Sequence, residues 1–518
     1  MSAAGGDGPG TVFDACRAQL EALIGFLGGG VAASMSHFEL EQRVGLDGRE
    51  VLRLALQGHL DLRAGSEVRI GCVTDAGGVA RRSVEAGHER VLATVFGEVR
   101  VRRLAYRARG HPNLHPADGA LNLPAERHSH GLRELAAIEA ARGSFEDAVD
   151  AIGRSTGTHV AKRQVEALAQ AAAVDFDAFY ARAATADAVD AGKAAVVVDT
   201  EPDERADVVV LSCDGKGIVM RPDALRPTTA KAASKTKPKL ATRLSKGEKL
   251  GRKRMAEVGA VYEIKPVPRT PADIMTSTSE EAPPPAQAPK ANNKWVMASV
   301  ALPAATVVAR VFDQAQARDP THQRPWVALV DGNNHQIHRI KAEADARNLT
   351  VPIVIDFIHV LEYLWRAAWC FFNEGDTAAE TWVRDKSTAV LNGQASTVAA
   401  SVRRKATCLR LDPAKRANAD TCADYLLRKR PYLDYPTALQ KGWPIATGVI
   451  EGACRHLVKD RMDITGARWS VNGAEAILKL RALLTNQDFP AYWHFHLTQE
   501  HQRIHATHYA NSLIPQAA

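Results

Sequence analysis

The sequence is poor in cysteine and aromatic residues, and it has no long apolar run. Its seven cysteines are scattered without a Cys-x-x-Cys pair, so neither a disulfide framework nor a cysteine zinc site is expected. No apolar stretch reaches the roughly eighteen residues of a membrane-spanning helix. The first residues, MSAAGGDGPG, lack the pattern of a signal peptide. These absences predict a cytoplasmic protein with reduced thiols.

The composition is that of a globular protein with a small excess of positive charge. Hydrophobic residues make up 46% of the 518 residues and charged residues 24%. Lysine plus arginine number 66 against 59 acidic residues, a net charge of +7, which favours a polyanionic partner. The length predicts more than one domain.

The front of the chain has a helical pattern that gives way to strands. Apolar residues recur every three or four positions in residues 11–65, and we predict an N-terminal helical region over residues 1–90. From Ala93 the text ATVFGEVRVRRLAYRARG alternates around Gly97, which predicts a β-hairpin within residues 91–125. Its basic face is assigned to Arg100, Arg102 and Arg103.

Residues 126–190 predict a helix-turn-helix region. The stretch SFEDAVDAIGRSTGTHVAKRQVEALAQAAA has two amphipathic segments separated by a turn at Gly157. Its second helix is predicted to begin near Val160 and to present Lys162, Arg163 and Gln164, where a recognition helix contacts bases. An ordinary helical hairpin is the alternative.

The rest of the chain has an α/β pattern with a helical interruption. Apolar strands at VVVLSC, MAEVGAVYEI, WVMASV, PWVALV and VPIVID alternate in part with helix-length segments, which predicts an α/β core whose first part spans residues 205–375. Residues 376–441 predict an all-helical insertion. Residues 442–485 return to the core, and residues 486–518 are assigned to a C-terminal tail.

A basic segment interrupts the first strands of this core. Residues 231–254 carry ten basic residues against the single acid Glu248. Such a run is either a solvated loop or a contact to DNA phosphates, for which the candidates are Lys249, Arg252, Lys253 and Arg254.

Two Asp-Gly steps follow apolar strands and point to a metal site. Asp214 and Asp331 each end such a run, at the edge of an α/β sheet where sites form. An Asp-Gly step alone is a common turn signal. Two carboxylates brought together, however, repel each other unless a cation lies between them, and oxygen ligands suit Mg²⁺.

A third carboxylate is expected on a helix. Glu451 in ATGVIEGACRHLVKDRM shares a helix face, by spacing, with Arg455, Val458 and Lys459, and the cations of that face are candidates for contact with DNA. Other carboxylates compete for the site, and Asp356 is the strongest of them because it also ends an apolar strand. The competitors are Asp356, Glu362, Asp460 and Asp463.

The last segment contains five histidines without a ligand framework. They are interleaved with aromatic residues, which favours a packed or solvated helix over a zinc site. They are His494, His496, His501, His505 and His508.

Long strings of this sequence resemble a known family. VVVLSCDGKGIVM, PWVALVDGNNHQ, DFIHVLEYLW and ATGVIEGACRHLVKDRMDITGARW are similar to DDE transposases of bacterial insertion sequences, specifically the ISKra-type family. The resemblance spans nearly the whole chain, from GHLDLRA at residue 58 to HFHLTQEHQRIHATHY near the end.

The resemblance implies an RNase H-like, mixed-sheet catalytic domain that binds two Mg²⁺ or Mn²⁺ ions. It implies that Asp214 lies on the first strand, Asp331 after the fourth and Glu451 on a late helix. Related transposases carry an Asp and a His beyond the second Asp, which Asp356 and His359 match, so these two are expected to be accessory residues. His359 by itself is either close to the strand ends or a helix-start histidine with a structural hydrogen bond.

The implied reaction is cleavage at element ends and transfer of the 3′ hydroxyl to target DNA. The expected partners are double-stranded DNA, as terminal inverted repeats and target, and further copies of the chain near the bacterial nucleoid. The alternatives are a catalytically silent DNA-binding regulator and an RNase H-like nuclease or resolvase.

Overall fold

The chain divides into two compact units. The first comprises Met1–Phe179 and Asp488–Ala518, and the second comprises Tyr180–Gln487. The computed structural model describes residues 11–189, 208–235, 240, 242, 252–275, 287–464 and 466–516. Within these residues, no helix is long and apolar enough to cross a membrane.

The secondary structure mixes helices with strands in both units. The strands are β1 (Val73–Thr74), β2 (Ala80–Arg81), β3 (Ser83–Thr94), β4 (Gly97–Arg107), β5 (Val208–Met220), β6 (Arg252–Ile264), β7 (Ala291–Ser299), β8 (Trp326–Val330) and β9 (Ile353–Ile355). The helices are α1 (Asp14–Leu27), α2 (Gly30–Ala33), α3 (His37–Gly65), α4 (Pro116–Ala120), α5 (His130–Arg142), α6 (Phe145–Thr156), α7 (Lys162–Ala172), α8 (Phe176–Val189), α9 (Pro227–Lys235), α10 (Pro271–Ile274), α11 (Ala304–Arg318), α12 (Asn334–Ala346), α13 (Phe357–Ala368), α14 (Thr377–Leu391), α15 (Ala395–Cys408), α16 (Pro413–Lys429), α17 (Tyr435–Gln440), α18 (Gly448–Ala453), α19 (Asp460–Met462), α20 (Val471–Thr485) and α21 (Phe489–Ile504).

The N-terminal helices end earlier than the sequence predicts. Ser36 and Glu39 form a capping box that starts α3, and this helix runs to Gly65. Residues 73–94 then form β1, β2 and β3, so the prediction of a helical region up to residue 90 is wrong for its last part. The reason is that β3 is the partner of β4 in a long antiparallel hairpin, paired from Ser83–Arg107 to Thr94–Gly97.

The two helices predicted around Gly157 are present. Ser144 and Asp147 cap the start of α6, which ends at Gly157 in the left-handed conformation, φ 70°. The second helix, α7, begins at Lys162, and both helices pack against α5. The first turn of α7 is exposed, while Val165 is buried.

The C-terminal segment is part of the first unit rather than a tail. The α21 residue Tyr492 donates a hydrogen bond from its hydroxyl to the carbonyl of Ala172, at 2.6 Å. Arg133 of α5 forms a buried ion pair with Glu500 of α21, at 2.9 Å. Residues 489–504 therefore complete the packing of the helices that precede the α/β unit.

The second unit contains a mixed five-stranded sheet in the order β7-β6-β5-β8-β9. β5 and β6 pair antiparallel over their whole length, and β6 and β7 are also antiparallel. β8 and β9 run parallel to β5. The α/β class predicted from the sequence is confirmed, with the carboxyl ends of β8 and β9 at one edge.

Apolar runs explain why the sheet is buried on both faces. Val208 to Cys213 of β5 and all of β8 are buried, and α11 packs on the sheet through Val307, Val308 and Val311. Helix α20 packs along β7. The four helices α14 to α17 lie between α13 and α18 in sequence, where α16 packs against α13.

Candidate metal centre

Asp214 lies within β5 and not at its end. Parallel pairing of β5 with β8 stops at Ser212–Leu329, but pairing with β6 continues from Asp214–Val258 to Met220–Arg252. The prediction that the strand ends at Asp214 is therefore wrong, because β6 supplies a partner for six more residues. Continuing the β8 register by two residues brings Asp214 level with Asp331, so the two carboxylates lie at the same edge.

Asp331 directly follows β8 and precedes α12. Its Oδ1 accepts a hydrogen bond from the backbone N–H of Asn333 at 2.8 Å, and Asn333 caps α12 through its own side chain. Burial raises the pKa of Asp331, and the charge of Asp214 raises it further, against the opposing effects of the Asn333 N–H, His359 and Lys429. Two carboxylates are thus close enough to repel each other.

Gln336 lies between these two carboxylates, and its NH₂ group faces one of them in each of the two orientations of the amide. Its side-chain amide lies 3.5 Å from Asp214 Oδ1. Rotation of the amide by half a turn satisfies both of its ends, and the NH₂ group then donates to Asp331 Oδ1 at 3.0 Å and to the Cys213 carbonyl at 3.3 Å. From the other side, the Cys454 thiol donates to Asp214 Oδ2 at 3.2 Å.

Asp356 lies at the end of β9 and caps α13. Its Oδ1 accepts from the N–H of Ile358 at 2.8 Å, and its side chain is fully buried. Its Oδ2 lies 3.3 Å from His359 Nδ1 and accepts a hydrogen bond from the Thr447 hydroxyl. Burial opposes ionisation of Asp356, but these hydrogen bonds outweigh burial and lower its pKa.

Glu451 joins Asp356 through Thr447. The Thr447 Oγ1 lies 2.9 Å from Glu451 Oε1, one helical turn away. A hydroxyl has one proton, so it can donate to only one of these two carboxylates at a time. Among the described residues, Asp356, His359 and Glu451 form the one group of three whose possible ligand atoms all lie within 4.8 Å of one another.

This donor set fits a divalent cation. Two carboxylates and an imidazole at such distances supply the oxygen and nitrogen ligands that Mn²⁺ and Mg²⁺ accept, with the nitrogen favouring Mn²⁺. Because the Thr447 hydroxyl has only one proton, one of its two carboxylate contacts lacks a hydrogen bond. A cation between Asp356 and Glu451 would relieve the repulsion between these carboxylates. Asp214 and Asp331 lie outside this group of three, and the charge of Asp331 interacts with those of Asp214 and His359.

The sequence did not predict several side chains that reach these carboxylates. Gln336 lies on the first turn of α12, and Thr447 and Cys454 lie four residues before and three residues after Glu451, spacings that put them on neighbouring turns of one helix. Glu257 of β6 is a further carboxylate, with a pKa raised by burial and also by Asp214, although His335 and Arg226 oppose the rise. Its position as a glutamate inside an apolar strand was its only signal in the sequence.

The helix that carries Glu451 changes its hydrogen-bonding pattern directly after it. Helix α18 is followed by a π-helical segment, Cys454–Lys459, a form that occurs frequently at functional sites. Glu451, Arg455 and Lys459 are exposed, whereas Val458 is buried, so the prediction that Val458 shares their face is wrong. The competing carboxylate Asp460 lies 3.6 Å from Arg455 Nε.

Of the three arginines predicted on the basic face of the hairpin, two are exposed to solvent. Arg100 and Arg102 are exposed and form ion pairs with Glu89, at 2.6 and 3.1 Å. Arg103 is buried and pairs with Asp118 at 2.7 Å, so its assignment to the outer face is wrong. Strict alternation along β4 puts Arg103 on the inner face with Val99 and Val101.

The other basic candidates differ in exposure. Lys162, Arg163 and Gln164 are exposed, although Lys162 forms an ion pair with Glu146 at 2.5 Å and Gln164 accepts from the N–H of Ala161 at 3.2 Å. Lys249 lies outside the described residues. Of the β6 candidates Arg252, Lys253 and Arg254, the first is half-buried and the second exposed, while Arg254 donates to the Val300 carbonyl at 2.9 Å.

Comparison with known proteins adds no relative. No protein-family model matches the chain, and no curated protein matches it.

Proposed function

We propose that the chain is a metal-dependent DNA transposase of the DDE type, with Asp214, Asp331 and Glu451 as its metal-binding carboxylates. The observation that carries the proposal is the meeting of two carboxylate pairs at one edge of the sheet. Gln336 lies between Asp214 and Asp331, and Thr447 lies between Asp356 and Glu451.

The order of the elements supports an RNase H-like catalytic domain. In chain order, Asp214 is on the first strand of the sheet, and Asp331 follows the fourth. Glu451 is on a helix that comes after the helical insertion. This order agrees with the one that the resemblance to ISKra-type transposases implies.

Each side chain has a distinct task in the proposed centre. Cys454 donates to one oxygen of Asp214, at 3.2 Å, which helps to fix the direction of this carboxylate. Gln336 donates to Asp331 in one orientation of its amide, and Thr447 lies between Asp356 and Glu451. When bound, Mg²⁺ or Mn²⁺ ions would supply activation of a water molecule and stabilisation of the leaving 3′ oxygen.

Asp331 is proposed as the second ligand, and Asp356 with His359 as accessory residues. Asp331 is only partly buried and has one backbone donor, so one of its oxygens remains available. Asp356 is fully buried and accepts from Ile358, His359 and Thr447. Its remaining capacity lies toward His359 and Glu451, where it would complete the shell of a second ion.

The proposed partner is double-stranded DNA, bound by a homo-oligomer of the chain. Exposed cations support this in three places: the first turn of α7, the outer face of β4 and the exposed side of the helix carrying Glu451. Such cations contact phosphates in a salt-dependent way.

Strand-transfer assays on DNA from the flanks of the coding region would test the proposal. Asp214→Asn, Asp331→Asn and Glu451→Gln should each lower cleavage and joining by at least about a hundredfold while DNA binding persists. Glu362→Gln is the matched control, because Glu362 is an exposed carboxylate paired with Arg366.

Three results would contradict the proposal. If all three variants joined DNA at the wild-type rate, these carboxylates would not be the metal ligands of the reaction. A wild-type chain that nicks DNA without ever joining it would be a nuclease or resolvase, and one that only binds would be a regulator.

A further inference from the structure

Lys429 is a buried cation beside the carboxylate edge. It ends α16, its residue is 7% exposed, and its ammonium group donates to the side-chain oxygen of Asn334. Within the described part of the chain it forms no ion pair within 4.0 Å, although its charge and that of Asp331 act on each other. Burial of an ammonium group without a paired anion is energetically unfavourable.

The surrounding residues hold the end of α16 against the strand ends. The ring of Tyr425 stacks on that of Tyr363 of α13, with centroids 3.9 Å apart. The Tyr425 hydroxyl lies close above Gly332, where a Cβ atom would come within 2.8 Å of it. Tyr435 donates to the carbonyl of Ile355, at 2.9 Å.

Both aspartate-bearing loops therefore contact the helical insertion. Asn334, the acceptor for Lys429, lies three residues after Asp331, and Ile355 directly precedes Asp356. An insertion that only enlarged the protein would not need to bury a lysine at this point. The position is instead suited to an anion that binds between the insertion and the carboxylates.

We propose that Lys429 is a phosphate-binding residue, and that its ammonium group donates to a non-bridging oxygen of the DNA phosphate that reacts at the centre. Lysine has three N–H donors, of which Asn334 takes one. Cations bound by the carboxylates would cancel the negative charge near Lys429 and leave a net positive site. The inference rests on the proposed function for the identity of the phosphate, but not for the presence of an anion site.

Binding of inorganic phosphate tests the site without any need for catalysis. Isothermal titration calorimetry of the full chain in MgCl₂ should show phosphate binding, weakened at least about tenfold in Lys429→Met, which keeps the aliphatic stem. Lys415→Met is the matched control on the same helix, because Lys415 is exposed and pairs with Asp412. Its phosphate affinity should stay within about twofold of wild type.

Two results would overturn the proposal: no phosphate binding by the wild-type chain, or equal affinities of wild type and Lys429→Met. Circular dichroism checks that the variant is folded. If it is not, Lys429→Gln takes its place, since it keeps an N–H donor for Asn334 and removes the charge.

Single-turnover cleavage of flanking DNA separates this inference from the proposed function. Lys429→Met should lower the maximal rate about a hundredfold with little change in KM, as expected for a charge that acts on the reacting phosphate. Lys429→Arg, which keeps the charge, should recover part of the loss. If the wild-type chain does not cleave DNA but Lys429→Met loses phosphate, the anion site stands and the transposase proposal fails.

Discussion

His130 shows how one half-buried side chain makes the stability of the first unit depend on pH. Burial, together with the charge of the neighbouring Arg133, lowers the pKa of His130 from 6.5 to about 4. The unfolded chain therefore takes up this proton near pH 6.5, whereas the folded chain resists it until about pH 4. The stability that neutral His130 contributes is complete above pH 6.5 and is lost as the pH falls toward 4.

His130→Gln should reduce the acid sensitivity of the first unit. We expect the fall in free energy of unfolding between pH 7 and about pH 4.5 to be smaller in the variant by about 2 kcal/mol, after allowance for partial exposure. Urea unfolding at the two pH values measures this difference. His59→Gln, at an exposed position on α3, should leave it unchanged, and an equal fall in all three proteins would contradict the explanation.

At the same scale, residue identity alone did not reveal which side chains meet. Gln336, Thr447 and Cys454 have no sequence motif of their own, and each becomes part of the centre only through a contact with a carboxylate from a distant segment. Arg103 shows the converse case. It looks like its neighbour Arg102, but the alternation of β4 turns it inward to Asp118.

At the scale of elements, Gly332 links β8 to the helical insertion. Its φ is +93°, which favours glycine, and a Cβ would meet the Tyr425 hydroxyl at 2.8 Å. Gly332→Ala should lower the free energy of unfolding by about 1 kcal/mol from the backbone and by roughly 1–3 kcal/mol more from displaced packing.

Gly375→Ala separates these two effects in urea unfolding. Gly375 has a similar φ of +85°, but a Cβ there meets nothing within 4 Å. It should therefore show the backbone cost alone. If both variants lost the same free energy of unfolding, the Tyr425 side chain would move away without cost. The helical insertion would then not hold the loop that carries Asp331.

Helix α7 gives a second prediction at this scale. Arg163 is exposed in its first turn, where a recognition helix contacts DNA. Arg163→Ala should weaken duplex binding and reduce the slope of log affinity against log salt by about 1 if the contact is to a phosphate. Fluorescence anisotropy over a salt series measures both quantities.

Arg142→Ala is the control for that experiment. Arg142 is an exposed arginine at the end of α5, paired with Glu139 at 3.1 Å. Its removal should not alter the salt slope. The same slope for wild type and Arg163→Ala would favour an ordinary helical hairpin.

At the scale of the whole molecule, metal binding should stabilise the unit that contains the sheet. A ligand that binds only the folded state adds about 2.7 kcal/mol at a hundredfold excess over its Kd. In differential scanning calorimetry, the Tm of one unfolding transition should therefore rise when Mn²⁺ or Mg²⁺ is added. It should fall back when EDTA removes the metal.

The donor set makes this metal effect specific. Asp356→Asn should reduce the shift in Tm, because it removes one ligand from the group with His359 and Glu451. Glu362→Gln should keep it. If the metal raised the Tm of the Asp356 variant as much as that of the wild type, the cation would bind elsewhere.

The sequence by itself determined the strands of the sheet and the two helices around Gly157. Apolar runs located all five strands of the sheet, and the left-handed Gly157 separated α6 from α7 as predicted. It also marked Asp214, Asp331, Asp356 and Glu451 as candidates. These features depend on residues within a few positions of one another, which is why local patterns reveal them.

Only the tertiary structure decided how those elements meet. Strand order and register put Asp214 level with Asp331, extended β5 past Asp214 and brought Thr447 between Asp356 and Glu451. Packing between helices also placed α21 with the N-terminal helices and buried Lys429 beside Asn334. Each of these contacts joins segments far apart in the chain, so it is set by long-range pairing and packing that no local pattern encodes.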